Sequence, residues 1–324
     1  MLQWWTVPGK DGGVLEQRQV PVPEAGPGQV LIKVVGAGVN RGELIARSAQ
    51  HTRNPAARAR PSGIECAGEV VDTGAGVAGI TVGDRVMARG SACHAEYTVV
   101  DGASAMAVPD QLSLTEAGAI PNVFVTAHDA IVTNAQLKAG EKLLVTAGSS
   151  GVGSAAIQIA ALLGAGQIIA TTRNPAKSRK LLELGASQVV DTSQSDWESE
   201  LDELNDGVDV VIDQVGGALF PALMRCMAIA GRYVTVGRNA GAQTELDLDA
   251  LARDRLTLIG VTFRTRSPEQ ALICSQRFAE QLLPAFSTGE LRPIVDRCFP
   301  LSQLPAAHEY METNAQVGKI VLET

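Results

Sequence analysis

Hydrophobic and polar positions alternate in two different ways along the chain, which divides it into regions. From residue 139 to 262, short apolar runs alternate with segments of helical periodicity. The helices predicted there span residues 152–163, 175–184, 196–204 and 218–230. Six strands joined by crossover helices pair in parallel, so this region predicts an α/β fold with a doubly wound parallel (Rossmann) sheet.

Up to about residue 100 the pattern consists of short apolar strands separated by Gly and Pro, which is typical of a small β-barrel. Beyond residue 263, two helices over 268–287 and 300–313 precede an apolar strand, Lys319 to Leu322, that we expect to pair back into the barrel. The predicted barrel domain is therefore discontinuous, with residues 1–120 completed by 264–324, and residues 121–263 form the second domain. Between the two, Ser113 and Glu116 predict a capping box, and Pro121 is expected to interrupt the helical pattern.

A glycine turn opens the alternating region. Gly148, Gly151 and Gly153 lie between a predicted strand (143–146) and an apolar helix, and a second strand (167–172) completes a βαβ unit. Backbone without Cβ atoms can approach a pyrophosphate, and a helix N-terminus offers free N–H groups and the positive end of its dipole. The strand–turn–helix context predicts a dinucleotide site. Its predicted residues are Gly148, Ser149, Ser150, Gly151, Val152 and Gly153.

The end of the second strand indicates which dinucleotide binds. An NAD site usually carries Asp or Glu there to bind the ribose hydroxyls, whereas this chain has Thr172 and Arg173, with Lys177 one helical turn later. Hydroxyl and cationic groups suit a 2′-phosphate. We therefore predict NADPH, the alternative being that Arg173 and Lys177 belong to a solvated loop and helix start.

Composition and charge argue against several classes of protein. The 324 residues carry 27 basic and 35 acidic side chains, a net charge of −8, which argues against a nucleic-acid surface. Apolar runs are too short to span a membrane, and no signal peptide is visible. Five dispersed cysteines predict neither a disulfide framework nor a metal knuckle, so we expect a cytoplasmic protein. Arg53, Arg58 and Arg60 form a local basic run, either a solvated loop or a clamp for an anionic substrate tail.

Several separate motifs resemble the medium-chain dehydrogenase/reductase superfamily, in its zinc-independent quinone oxidoreductase and enoyl reductase branch. They occur in the family's order: GAGVNRGEL (36–44), GIECAGEVV (63–71), VGDRVMA (82–88), AIPNVFVTAHDAI (119–131), AGSSGVG (147–153), VVIDQVGG (210–217) and VGKIVLE (317–323). The resemblance implies a GroES-like β-barrel domain beside the Rossmann domain.

The resemblance also implies hydride transfer from NADPH to an activated C=C bond or a quinone, that is, to an enone, quinone or enoyl thioester. The zinc branch carries Cys at the place of Asn40 and His at the place of Ile64, and an Ile side chain offers Zn²⁺ no ligand. We therefore predict no metal. A zinc-type alcohol dehydrogenase and a nucleotide-binding protein with little catalytic activity are the competing hypotheses.

Three residues are candidates for catalysis. Asn40 would donate to the substrate carbonyl or the nicotinamide, or would merely stabilise a turn. Glu43 would deliver a proton, or would only pair with Arg41 or Arg47. Thr126 would contact the nicotinamide, or pack in the core. Loops after the later strands add the expected cofactor contacts Gly216, Val236, Gly237, Asn239, Phe263 and Asn314. The loop from Ile45 to Pro61 has no Tyr that could act as an acid, so solvent is an alternative proton source. A small-molecule substrate and a homodimer complete the expectation.

Overall fold

The computed structural model describes residues 1–204 and 206–324 and divides into two compact units. The first unit contains Met1–Val123 and Leu272–Thr324, and the second contains Phe124–Ala271. The sequence places the corresponding breaks after residues 120 and 263.

Within the described residues the strands are β1 (Leu2–Gly9), β2 (Gly12–Gln19), β3 (Gln29–Val39), β4 (Arg60–Pro61), β5 (Glu65–Thr73), β6 (Arg85–Arg89), β7 (Tyr97–Asp101), β8 (Met106–Ala107), β9 (Lys142–Val145), β10 (Gln167–Thr172), β11 (Gln188–Asp191), β12 (Val208–Asp213), β13 (Met227–Thr235), β14 (Thr257–Gly260), β15 (Val295–Pro300) and β16 (Lys319–Glu323). The α-helices there are α1 (Arg41–Ser48), α2 (Leu114–Ala117), α3 (Pro121–His128), α4 (Gly151–Leu162), α5 (Ser178–Glu183), α6 (Trp197–Asp202), α7 (Phe220–Arg225), α8 (Leu248–Arg253), α9 (Pro268–Leu282), α10 (Pro284–Ser287) and α11 (Leu304–Glu312).

The second unit is built on a six-stranded parallel sheet with the order β11-β10-β9-β12-β13-β14. Chain order reverses next to β9, so the crevice between the carboxyl ends of β9 and β12 is the place where ligands bind in such sheets. Leu144, Ile169 and Val211 are buried between sheet and helices, as expected for strands covered on both faces. The predicted doubly wound parallel sheet is confirmed.

The first unit is mainly antiparallel. Strands β1 and β2 form a hairpin, and β3 is the central strand of a larger sheet because it pairs with β5, β7 and β16. Ile320 of β16 lies opposite Val39 of β3, so the end of the chain returns to the first unit as predicted. Trp4, Ile32 and Ile320 pack in one hydrophobic core.

Some predicted elements are wrong in detail. The helix expected over 218–230 ends at Arg225, and Met227 already belongs to β13. Pro121 separates two helices, as predicted: α2 ends at Ala117, and Pro121 begins α3, because proline lacks only an N–H that the first turn leaves unpaired anyway. Ser113 and Glu116 do form the capping box of α2. The hairpin β1–β2 and strand β15 were not predicted as elements. No helix among residues 1–204 and 206–324 has the length and apolar character needed to cross a bilayer.

Candidate functional site

The glycine turn joins β9 to α4 in the second unit. Ser150 caps α4: its backbone is extended, and its Oγ accepts a hydrogen bond from the N–H of Gly153 at 3.0 Å. Gly151 and Val152 form the first turn of the helix, and Ser149 lies in the turn, half-buried. The helix thus begins at the carboxyl edge of the sheet, where its N-terminus suits a phosphate group.

Two of the three glycines are also required by packing. A Cβ atom on Gly153 would lie 2.4 Å from the carbonyl oxygen of Ala147, and one on Gly148 would lie 2.9 Å from the Cβ of Ala170. The turn and the start of α4 therefore approach each other more closely than any side chain allows. This is the helix–strand contact that the last glycine of a dinucleotide turn provides.

Gln214, directly after β12, holds the turn in place. Its Nε2 donates to the carbonyl oxygen of Thr146 at 2.8 Å, and its Oε1 accepts from the Oγ of Ser150 at 2.9 Å. Its own N–H donates to the Oγ1 of Thr146 at 2.8 Å. One buried amide therefore fixes both ends of the glycine turn to the neighbouring strand. Sequence reasoning missed Gln214, although it lies within the recognised VVIDQVGG motif.

Asp213, beside Gln214, is a buried carboxylate that accepts hydrogen bonds from four donors. Its Oδ1 accepts from the hydroxyl of Thr146 and the N–H of Val215, and its Oδ2 accepts from the N–H of Gly216 and the hydroxyl of Tyr233. Burial, together with the negative charge of Asp213, raises the pKa of Tyr233. A buried carboxylate with four hydrogen bonds makes the carboxyl edge of the sheet rigid where the loops after β12 and β13 begin.

The residues predicted as cofactor contacts after β12 and β13 lie close to Asp213 and Gln214. Val236 and Gly237 donate their N–H groups to the carbonyl oxygen of Asp213 at 2.7 and 3.1 Å. The Nδ2 of Asn239 donates to the carbonyl oxygen of Gln214 at 2.9 Å. A Cβ on Gly237 would lie 2.4 Å from that same oxygen, which explains the glycine. These residues, with Gly216, thus lie at the carboxyl edge beside the glycine turn.

At the carboxyl end of β10 the three predicted coenzyme residues differ in exposure. Thr172 is buried, and its hydroxyl is engaged with the backbone of Asn174. Lys177 is also buried, at 8% exposure. Arg173 is exposed and makes no hydrogen bond or ion pair with the described residues. Of the three, Arg173 is therefore the side chain with a free charge.

Two further predicted residues belong to the second unit. Thr126 is half-buried on α3, whereas its neighbours Val125 and Ala127 are buried. Phe263 follows β14, and the guanidinium of Arg266 lies 4.7 Å from the centre of its ring. Arg266 also forms an ion pair of 2.6 Å with the buried carboxylate of Asp129. Asp129 begins a π-helical turn after α3, a local irregularity that is frequent at functional sites.

Asn40, in the first unit, lies in a buried hydrogen-bond network. Its Nδ2 donates to the carbonyl oxygen of Gly38 at 3.2 Å and to the Oε1 of Glu65 at 2.8 Å. Its Oδ1 accepts from the Nδ2 of Asn122 at 2.8 Å and from the Nζ of Lys319 at 2.7 Å. Both amide hydrogens and both oxygen lone pairs of Asn40 are thus used inside the protein.

Lys319 and Glu65 form the charged part of the network. They are 4% and 0% exposed, and Nζ lies 2.8 Å from Oε1. The ammonium also donates to the carbonyl oxygen of Val39, and the other carboxylate oxygen accepts from the N–H of Asn122. A buried pair with every polar atom satisfied ties β16, β5 and the start of α3 together. Sequence reasoning did not identify Lys319 as a site residue. The feature that could have identified it is the position of a lysine at the start of an apolar strand.

Glu43, at the third position of α1, accepts a hydrogen bond from the N–H of Asn40 at 2.9 Å through Oε2, while Oε1 is buried without a partner. Burial raises the pKa of Glu43 to about 8. The Nε2 of His94 lies 3.8 Å from Oε2, and burial lowers the pKa of His94 to about 4. At neutral pH the carboxyl group is therefore largely protonated and the imidazole is neutral.

The basic residues near α1 have other partners. Arg47 pairs with Glu312 at 2.6 Å, so the suggested pairing of Glu43 with this arginine is wrong. Arg47 also approaches the Nδ1 of buried His308 at 3.2 Å, and burial, His94 and Arg47 lower the pKa of His308 to about 3. Arg41 donates to the Oδ1 of Asn314, which is exposed.

The basic run Arg53, Arg58 and Arg60 is exposed, and the guanidinium of Arg58 binds the carbonyl oxygens of Pro55 and Ala57. Its role as an anion clamp stays a prediction. Within the described part of the chain, no three His, Cys, Asp or Glu side chains are grouped as a metal site requires.

Two family models match the chain. The model described as "Alcohol dehydrogenase GroES-like domain" matches residues 26–137, and the one described as "Zinc-binding dehydrogenase" matches residues 184–322. Together with the two domain folds, these matches show that the chain belongs to the medium-chain dehydrogenase/reductase superfamily.

Particular relatives differ in length and description. The chain is 33% identical over 329 residues to the spectinabilin polyketide synthase system protein NorB of Streptomyces orinoci, covering 99% of this chain but 14% of the relative. It spans between 10% and 19% of the length of the first five such curated relatives, all polyketide synthases.

Two solved structures match over 100% of both chains with a TM-score of 0.88: an NAD-dependent alcohol dehydrogenase at 29% identity and a mycobacterial protein complexed with NADPH at 28%. Further structures that share the fold include quinone oxidoreductases and an enoyl reductase.

Proposed function

We propose that this protein reduces an activated C=C bond or a quinone with NADPH, without a zinc ion. The observation that carries the proposal is the occupant of the place where the zinc branch has its metal. There, Asn40 is held by Lys319 and Glu65, and the second ligand position is Ile64. An amide bonded to an ammonium and a side chain without a donor atom do not bind Zn²⁺.

The second unit fits a phosphorylated dinucleotide. Gly148 and Gly153 leave the backbone of the turn bare, Ser150 caps the helix, and Gln214 holds both in place. Arg173, exposed and without a partner among the described residues, supplies a cation for a 2′-phosphate. The relative solved with NADPH supports this choice.

When bound, NADPH supplies a hydride to the β-carbon of the substrate, which leaves NADP⁺ and an enolate that takes one proton to give the saturated carbonyl compound. The residues of the chain itself bind the coenzyme and the substrate, orient them for that step and exclude water from them. Glu43 holds a proton at neutral pH next to the Asn40 turn, so it is our candidate proton source. Thr126, half-buried on α3, is our candidate for contact with the nicotinamide.

The substrate class follows from the same chemistry. Without a Lewis acid, the acceptor must already be electron-poor, as an enone, a quinone or an enoyl thioester is. Similarity to polyketide synthase proteins favours the enoyl thioester among these. Similarity to an NAD-dependent alcohol dehydrogenase favours a second candidate, alcohol oxidation. Metal analysis of the purified protein separates the two, since stoichiometric zinc would support the alcohol dehydrogenase.

The experiment that tests the proposal is an assay of NADPH consumption at 340 nm with quinones, enones and enoyl thioesters, repeated with NADH. We expect reduction of at least one class and a preference for NADPH. Arg173→Ala should weaken NADPH binding by roughly 10- to 100-fold, the loss of a charge-assisted contact, and leave NADH binding unchanged. Inactivity with the whole panel would refute the proposed reaction.

A matched control for Arg173→Ala is available on α5. The side chain of Arg179 is 91% exposed, and among residues 1–204 and 206–324 it pairs only with Glu183 of its own helix. Arg179→Ala removes the same charge from the same unit, so it should leave the affinities for both coenzymes unchanged. An equal loss of NADPH affinity in the two variants would show that Arg173 acts through the overall charge of the unit and not through contact with the 2′-phosphate.

A further inference from the structure

Asn40 has no hydrogen bond left to offer a substrate. A primary amide carries two N–H donors, and those of Asn40 go to Gly38 and Glu65. The side chain is 6% exposed. The residue that the sequence favours as the carbonyl donor is therefore committed to the interior of the first unit.

The orientations of two amides follow from Lys319. An ammonium group can only donate, so the atom of Asn40 that faces Nζ at 2.7 Å must be its oxygen. The same oxygen then requires a donor from Asn122, which must present its Nδ2 at 2.8 Å. Lys319 thus fixes first the amide of Asn40 and, through it, the amide of Asn122.

Asn122 keeps unused capacity. Its second amide hydrogen and its Oδ1 make no hydrogen bond with the described residues, and its side chain is half-buried, not enclosed. Its backbone N–H is anchored to the Oε2 of Glu65 at 2.6 Å. Asn122 is therefore a rigidly held amide with a spare N–H, one hydrogen bond away from the place that a catalytic metal takes in the zinc branch.

We infer that Asn122, not Asn40, donates the hydrogen bond to the carbonyl oxygen of the substrate, with Asn40 and Lys319 as positioning residues. Negative charge builds on that oxygen when hydride reaches the β-carbon, and a donor that is already oriented stabilises the charge without reorganisation. The inference rests on the proposed reductase activity and names one of its catalytic groups.

The test compares Asn122→Leu, similar in volume but without donors, with the parent protein. Removing one such donor lowers kcat by about 10²- to 10³-fold in other enzymes, and we expect a fall in that range. KM should change less than kcat, because the contact strengthens as charge develops. The dissociation constant for NADPH, measured by fluorescence, should stay within about twofold.

Thr98→Val is the control, since it removes one buried hydroxyl hydrogen bond in the first unit without changing shape. It should leave kcat and KM unchanged. If Asn122→Leu fails to fold, Asn122→Ala, which is smaller and also lacks a side-chain donor, takes its place with the same expected fall in kcat. A variant that keeps kcat within threefold overturns the inference, as does a parallel loss of NADPH affinity. Inactive parent protein refutes the proposed function instead, so the two failures are distinguishable.

Discussion

Replacing Glu43 by Gln should change how the stability of the protein depends on pH. Burial raises the pKa of Glu43 from its usual 4.5 to about 8, so the folded state holds a proton that the unfolded chain has already released at neutral pH. Folding is then linked to proton uptake, and stability falls as pH rises through this window. Gln keeps the acceptor for the N–H of Asn40 but cannot ionise.

The nearby imidazoles act in the opposite direction at lower pH. Burial lowers the pKa values of His94 and His308 from 6.5 to about 4 and about 3, so stability rises with pH up to about 6.5, where the unfolded imidazoles also become neutral. At pH 6.5 half of the unfolded imidazoles are still charged, so this rise levels off only about one pH unit higher. Comparison with Glu43→Gln cancels the contribution of the imidazoles, so the difference between the two proteins from pH 6.5 to 8 reports on Glu43.

One pKa unit corresponds to about 1.4 kcal/mol, so the parent protein should lose about 2 kcal/mol of stability relative to Glu43→Gln between pH 6.5 and 8. For a domain of this size that difference is about 4 to 8 °C in Tm. Thermal unfolding of both proteins at a series of pH values measures it. Curves that run parallel from pH 6.5 to 8 would refute the raised pKa, and with it the role of Glu43 as a resident proton store.

Three further predictions test the supporting structure. Lys319→Met should destabilise the protein by about 3–5 kcal/mol, because it leaves buried Glu65 without its partner. In urea unfolding, the double variant Lys319→Met/Glu65→Gln should recover part of that loss. Equal stability of the single and double variants would contradict the pairing. Gly153→Ala, whose Cβ meets a carbonyl oxygen at 2.4 Å, should lower Tm and weaken NADPH binding together, whereas Gly260→Ala, with nothing within 4 Å, should do neither. Tyr233→Phe should cost about 1–3 kcal/mol by removing one donor to buried Asp213, and unchanged urea midpoints would count against that estimate.

The sequence was most informative where a local pattern decides the structure. The βαβ unit around Gly148–Gly153 and the capping box at Ser113 follow from spacing or periodicity within a short window, and both predictions are confirmed. The last strand is recognisable from its own apolar pattern, whereas its pairing with β3 joins distant parts of the chain. Helix lengths were less certain. Met227 to Ala230 continues an apolar helical pattern, yet pairing of β13 with β12 decides its conformation.

The contacts that hold the site could not be predicted in the same way. The hydrogen bond from Lys319 to Asn40 joins residues 279 positions apart, and that from Gln214 to Thr146 joins residues 68 apart. In neither contact does the sequence near one partner identify the other partner. A lone Asn in a turn is compatible with a free donor or with a saturated acceptor, and only the positions of its partners distinguish the two.

The division of labour between the two acids near Asn40 has a simple electrostatic cause. The side chains of Glu65 and Glu43 are both buried. In the part of the chain that the structure describes, one ammonium group contacts this pair directly, that of Lys319, and it lies 2.8 Å from Glu65. Glu43 lacks such a contact, its second oxygen has no partner, and the negative charge of Glu65 adds to the effect of burial in raising its pKa. The ammonium of Lys319 thus pairs with one of the two carboxyl groups and leaves the other to hold a proton. Glu65, the paired one, anchors the backbone N–H of Asn122, and Glu43 keeps a proton beside the same turn, so a single lysine accounts for both the rigid amide and the stored proton.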